Sequence, residues 1–98
     1  MKIAATFLRA VVTGPDGATR PLIVTGRLAW ALGHLIEAGN KGCTPLDNPG
    51  PRWSAYVHKL RTDFGLDIET VHEQHEGPYP GTHARYVLRS QVDLIREV

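Results

Sequence analysis

Gly50-Pro51-Arg52-Trp53-Ser54-Ala55-Tyr56-Val57-His58-Lys59-Leu60-Arg61-Thr62-Asp63-Phe64-Gly65 carries helix punctuation at both ends. Proline suits the first turn of a helix, where its missing N–H would be unpaired anyway, and glycine suits the left-handed stop after the last turn. The spacing predicts a helix over 51–64. At ~100° per residue, Trp53, Val57, Leu60 and Phe64 fall on one stripe with Tyr56 on its shoulder. Ser54, Ala55, His58, Lys59 and Thr62 fall opposite, and Arg61 flanks them. The stripe is core; the opposite face, with small residues near its start and hydrogen-bonding groups and cations beyond, is suited to contact.

Upstream, Leu28, Leu32, Leu35 and Ile36 repeat at helical spacing, with Trp30 and Ala31 beside them. A helix is expected from about 27 to 38, capped by Thr25 or Gly26 and ended by Gly39-Asn40. Trp30, Trp53 and Tyr86 sit at core spacings. Between the helices, Lys41-Gly42-Cys43-Thr44-Pro45-Leu46-Asp47-Asn48-Pro49 is too short and too rich in proline for a full helix. Pro45 starts at most one turn there, with Thr44 as cap and Asp47 as the acidic half of a weak capping box. Downstream, residues 66–73 and 84–89 alternate as strands around a glycine- and proline-punctuated loop at 74–83, which makes a hairpin with a large tip.

Residues 2–12 and 21–25 make another hairpin at the N-terminal end, turning through Thr13-Gly14-Pro15-Asp16-Gly17-Ala18-Thr19-Arg20. Alternation puts Phe7, Arg9 and Val11 on one face and Leu8, Ala10 and Val12 on the other, and does not say which is buried. Residues 91–98 suit a short helix with Val92, Ile95 and Val98 on one side, stabilised by docking.

The 98 residues are expected to form one domain with a net charge of +1, which argues against a strong nonspecific polyanion binder. The charge is unevenly spread. Segment 51–64 holds Arg52, Lys59 and Arg61 against Asp63, whereas 65–78 holds only Asp67, Glu69, Glu73 and Glu76. Cys43 is the single cysteine, so no intrachain disulfide forms, and the N-terminal apolar run is cut by Arg9. A cytoplasmic protein with neither export nor membrane insertion is expected. No nucleophile and base stand at a motif spacing and no phosphate-binding glycine loop is present, so neither an enzyme nor a cofactor is expected. His72, His75 and His83 gather near Glu73 and Glu76, yet structural zinc prefers tight paired spacings and thiolates. They read as loop histidines, whose protonation below about pH 6.5 would make the hairpin less acidic; no metal site is assigned.

A helix, a short connector, a strongly amphipathic helix and a hairpin with an extended loop, over residues 26–89, resemble the winged helix-turn-helix domain. Gly50-Pro51-Arg52-Trp53-Ser54-Ala55-Tyr56-Val57, Leu60-Arg61, Ile68-Glu69-Thr70 and Gly81-Thr82-His83-Ala84-Arg85-Tyr86-Val87-Leu88 look like the small bacterial and phage-associated members. The resemblance implies a winged helix-turn-helix over 26–89, from which this chain departs by a truncated middle helix; the N-terminal β-hairpin at 2–25 and the short C-terminal helix at 90–98 lie outside the shared region and complete an expected α+β fold.

It also implies binding of double-stranded DNA by a sequence-specific regulator of transcription, with 51–64 as recognition helix in the major groove and 74–83 as wing. The residues expected to touch DNA are Arg52, Ser54, Ala55, His58, Lys59, Arg61 and Thr62 on the helix, with Arg85 and Arg89 on the wing strand. Arg85 and Arg89 either clamp phosphates or face Glu69 and Glu73 across the hairpin. The alternative is a winged-helix module that binds protein, because the middle helix is short and Glu73 and Glu76 would repel phosphates. A continuous positive surface through residues 41, 52, 59, 61, 85 and 89 would favour DNA. Homodimerisation and a protein partner both stay open.

Overall fold

Strand propensity at both ends of the chain and helical periodicity between them produce two antiparallel sheets around a helix pair. The computed structural model describes residues 7–45, 52–75 and 81–95, and of His75 only the backbone. Strands β1 (Phe7–Thr13) and β2 (Thr19–Thr25) pair from Phe7↔Thr25 to Thr13↔Thr19. Their turn is closed by Gly14 N–H on the Ala18 carbonyl at 2.8 Å and by Ala18 N–H on the Asp16 carboxylate at 3.0 Å. The face left open by the alternation is settled by packing: Ala10, Val12, Leu22 and Val24 are buried, and Phe7 and Arg9 are exposed.

Helix α1 (Gly26–Ala38) follows directly, with Thr25 as the capping position and Gly39 closing the end by its N–H on the Leu35 carbonyl. One 3-10 turn, Gly39–Lys41, brings the chain to Cys43, whose N–H and carbonyl both bond Tyr86, at 2.9 and 2.8 Å. A Cβ on Gly42 would lie 2.6 Å from the Tyr86 carbonyl oxygen, and its φ of +71° is left-handed, so glycine alone permits this approach. Thr44 is buried and Pro45 lies in a turn; the single turn expected at 45–48 otherwise lies outside the described residues.

Helix α2 (Trp53–Phe64) starts at Trp53, two residues later than the expected 51–64. Arg52 stands in front of it with φ 69° and ψ 35°, a left-handed conformation that cannot extend a right-handed helix. Its carbonyl accepts from the Ala55 and Tyr56 N–H groups; Pro51 lies outside the described residues. At the other end, Gly65 takes the expected left-handed stop, φ 64°, with its N–H on the Arg61 and Leu60 carbonyls. Trp53, Val57 and Leu60 are buried, as the stripe requires, against Leu32 and Leu35 of α1 in one apolar cluster. Trp53 lies 5.2 Å from Trp30 and stacks on Tyr86 at 6.2 Å, centroid to centroid.

Strands β3 (Ile68–His75) and β4 (Gly81–Leu88) pair from Ile68↔Leu88 to His75↔Gly81. The loop expected at 74–83 is therefore shorter: Gln74, His75, Gly81, Thr82 and His83 belong to the ladder, and 76–80 lies outside the described residues.

The helix expected at 90–98 is not formed where the chain is described. Gln91–Leu94 is strand β5, paired with β1 through Val12↔Val92 and Ala10↔Leu94. The turn before it is held by Asp67, whose carbonyl accepts from the Arg89 and Ser90 N–H groups and whose own N–H bonds Ser90 Oγ at 2.8 Å. That turn delivers the chain alongside β1, where every residue gains a ladder partner, whereas an isolated eight-residue helix cannot offset its nucleation cost. The N-terminal hairpin is thereby stitched to the C-terminal segment as one sheet, ordered β2-β1-β5.

Candidate nucleic-acid interface

The stripe of α2 faces the core, so geometry leaves the opposite face uncovered. Ser54, His58, Lys59 and Thr62 are exposed and Ala55 is half-buried between them. Thr62 Oγ1 donates to the His58 carbonyl at 3.0 Å, which orients its lone pairs as acceptors. Arg52 and Lys59 make no side-chain hydrogen bond or ion pair among the described residues, so their charges are open to a ligand.

Arg61 behaves differently. Its Nε donates to the Ile68 carbonyl at 3.0 Å, its Nη2 reaches the same oxygen, and Nη2 also donates to Thr70 Oγ1 at 2.7 Å. The guanidinium thus ties α2 to β3 and sets the hairpin beside the helix.

Strand alternation then sorts the hairpin into two unlike faces. Thr70 meets Arg61, and Tyr86, opposite Thr70, stacks on Trp53, so the even-numbered side chains face the α2 side. Beyond them on that face come His72, Gln74 and Thr82, all exposed and none formally charged when His72 is neutral. The odd-numbered face carries the ionic groups. Arg85 Nε bonds Glu73 at 2.7 Å, His83 Nε2 lies 3.2 Å from the other Glu73 oxygen, and Arg89 pairs with Glu69 at 2.7 Å. Arg85 also donates from Nη1 to the Lys41 carbonyl at 2.9 Å, which fastens the hairpin to the end of the first helix.

The Arg85 hydrogen bond holds the Glu73 carboxyl below the usual glutamate range. The Arg85 charge and His83 act in the same direction, and together they outweigh the desolvation that opposes them. The acidity of this hairpin is therefore carried, in Glu69 and Glu73, by a face turned from the helix and matched by cations. Glu76 lies outside the described residues.

The six cations at 41, 52, 59, 61, 85 and 89 do not form one positive surface. Arg52 stands open just ahead of α2 and Lys59 on it, Arg61 is bound to β3, and Arg85 and Arg89 occupy the far face of the hairpin. The histidines are dispersed too. His72 lies on the α2 side while His83 lies on the far face, and no group of ligating side chains is gathered among the described residues. His72, Gln74 and Thr82 are additions to the site that the sequence reading missed; the signal was the alternation running on from Thr70 into the residues taken as loop.

A helix with an uncovered outer face, braced on a first helix and flanked by a hairpin that takes Cys43 as a third, one-residue strand, defines a winged helix domain. The model of the winged helix domain family matches residues 21–98, and the chain belongs to that family. The matched span begins in β2 and includes β5, so the strands flanking the helices are part of the shared unit. Membership fits DNA binding in general. No curated protein and no solved structure matches the chain. No helix among the described residues is long and apolar enough to cross a membrane.

Proposed function

We propose that the protein is a sequence-specific DNA-binding regulator of transcription that lays α2 in the major groove and rests the near face of the β3–β4 hairpin on flanking backbone. The carrying observation is the contrast between the two faces beside α2. Its outer face offers Ser54, Ala55, His58, Lys59 and Thr62, with Arg52 exposed just ahead of the helix, and the adjoining hairpin face carries no carboxylate among the described residues. Base edges are read by such short polar and cationic side chains, and phosphates by Lys and Arg. Arg61 acts by positioning the hairpin. Arg85 and Arg89 reach phosphate only by leaving Glu73 and Glu69, which an exposed pair such as Arg89–Glu69 does at a cost of about 0.2–1 kcal/mol.

With two or three phosphates neutralised, log affinity should fall against log salt with a slope of about −2 to −3. The test is selection from a random-sequence duplex pool followed by titration of the selected and a scrambled duplex across salt concentrations. Lys59→Ala should weaken both duplexes and flatten the slope by about one, whereas His58→Ala should cost ~1 to 3 kcal/mol on the selected duplex alone. A folded protein that binds no duplex at low salt overturns this reading in favour of the protein-binding module.

A further inference from the structure

We infer that His72 is a phosphate contact whose charge, and with it the grip of the β3–β4 hairpin on DNA, is set by pH. This rests on the DNA reading above and names the group by which the near face of the hairpin holds backbone. Along that face, from Thr70 outward, stand Thr70, His72, Gln74, Thr82, Ala84 and Tyr86, and of these His72 alone can take a positive charge. It is exposed and its ring makes no hydrogen bond or ion pair among the described residues. Ala84 stands opposite it in the ladder and is too small to cover an imidazole. The arginines of the region are already engaged: Arg61 holds Ile68 and Thr70, and Arg85 and Arg89 pair with glutamates on the far face.

The charged and titratable groups around His72 leave its countercharge to a ligand. From α2 comes Arg61, whose guanidinium is fixed on Thr70, one position back along the face and ~7 Å away in strand rise. His58 lies one turn before Arg61 and is the other titratable group on that flank of α2, whereas Asp63 lies about 160° round the helix from Arg61. Across the ladder, Thr82 and Ala84 bring no charge and the Tyr86 phenol is buried. Glu73, next in the chain, turns to the opposite face, where Arg85 and His83 hold it. No carboxylate among the described residues therefore stands beside the imidazole on the near face. A phosphate supplies what the fold does not: an adjacent anion favours the protonated ring, so binding draws a proton onto His72. Affinity then rises as pH falls through the range in which imidazole ionises, around pH 6.5.

Titration of the selected duplex with the whole chain across salt concentrations, at about pH 8 and about pH 5.5, tests this. For the wild-type chain the log affinity against log salt slope should steepen at the lower pH by about 0.9 for the His72 contact, with affinity at about 0.1 M salt rising about fivefold or more. His72→Gln should lose that increment, and His72→Arg, which carries the charge permanently, should show the steeper slope at both pH values. His58→Asn removes the other histidine on this side and should retain the increment, as should His83→Gln on the far face. A wild-type slope that is the same at both pH values, or a folded His72→Gln that keeps the full increment, overturns the inference while leaving the DNA reading in place. Absence of duplex binding at both pH values overturns the DNA reading and this inference with it.

Discussion

Lys59 and Arg61 sit two residues apart on one helix and carry the same charge, yet their surroundings give them different work. Lys59 is open to solvent, so Lys59→Ala should leave the melting temperature within about 2 °C of wild type while lowering duplex affinity. Arg61→Ala removes three donors from Ile68 and Thr70 and should destabilise the domain by about 1.5 kcal/mol, read by urea denaturation. Trp53, 2% exposed and in ring contact with both Trp30 and Tyr86, should cost ~3 to 5 kcal/mol on truncation to alanine. A variant that melts as wild type would refute its place in the core. Gly42→Ala brings a methyl into the Tyr86 carbonyl at a left-handed residue, and about 1–3 kcal/mol of destabilisation is expected by the same assay.

At the scale of the element, the β3–β4 hairpin is held by ion pairs whose strength follows pH. Glu73 has its carboxyl lowered by Arg85 and then His83, so the stabilisation is fully present above the ordinary glutamate range and is lost as pH falls through the depressed value. Carboxyl-detected NMR should show Glu73 titrating below an unpaired glutamate, and Arg85→Gln should bring it back up. Glu73→Gln removes the anion from the Arg85 and His83 cluster and should loosen the hairpin, read as faster amide exchange across Val71↔Arg85 and Glu73↔His83. The helix-facing side of the hairpin owes its uncharged character to strand alternation, since Glu69 and Glu73 both lie at odd positions.

The whole molecule is closed by β5, which joins the end of the β3–β4 hairpin to β1 and so makes one unit of segments far apart in sequence. A chain ending at Ser90 loses the pairs from Ala10↔Leu94 to Thr13↔Gln91 and leaves β1 as an unpaired edge. It should unfold at a lower temperature than the full chain by circular dichroism, with the largest gain in amide exchange in β1 and β2. Equal melting of the two would show that β5 adds nothing to the domain.

Local pattern was enough to determined the helices and hairpins as such: Leu28 to Ile36 and Trp53 to Phe64 repeat every three or four residues, and Gly39 and Gly65 stop them where the structure does. The candidate helix face was legible for the same reason, because a stripe at 3.6-residue spacing fixes its opposite. What depends on a distant partner was not legible. The buried face of β1 was chosen by packing against the core, and Gln91–Leu94 became a strand because β1 offered it a ladder. Arg61, Arg85 and Arg89 could be listed as cations from the sequence, but their carbonyl and carboxylate partners lie up to 44 residues away. Periodicity and punctuation are properties of neighbours along the chain, whereas sidedness, strand partners and the availability of a charge are properties of neighbours in space, and only the tertiary structure supplies those.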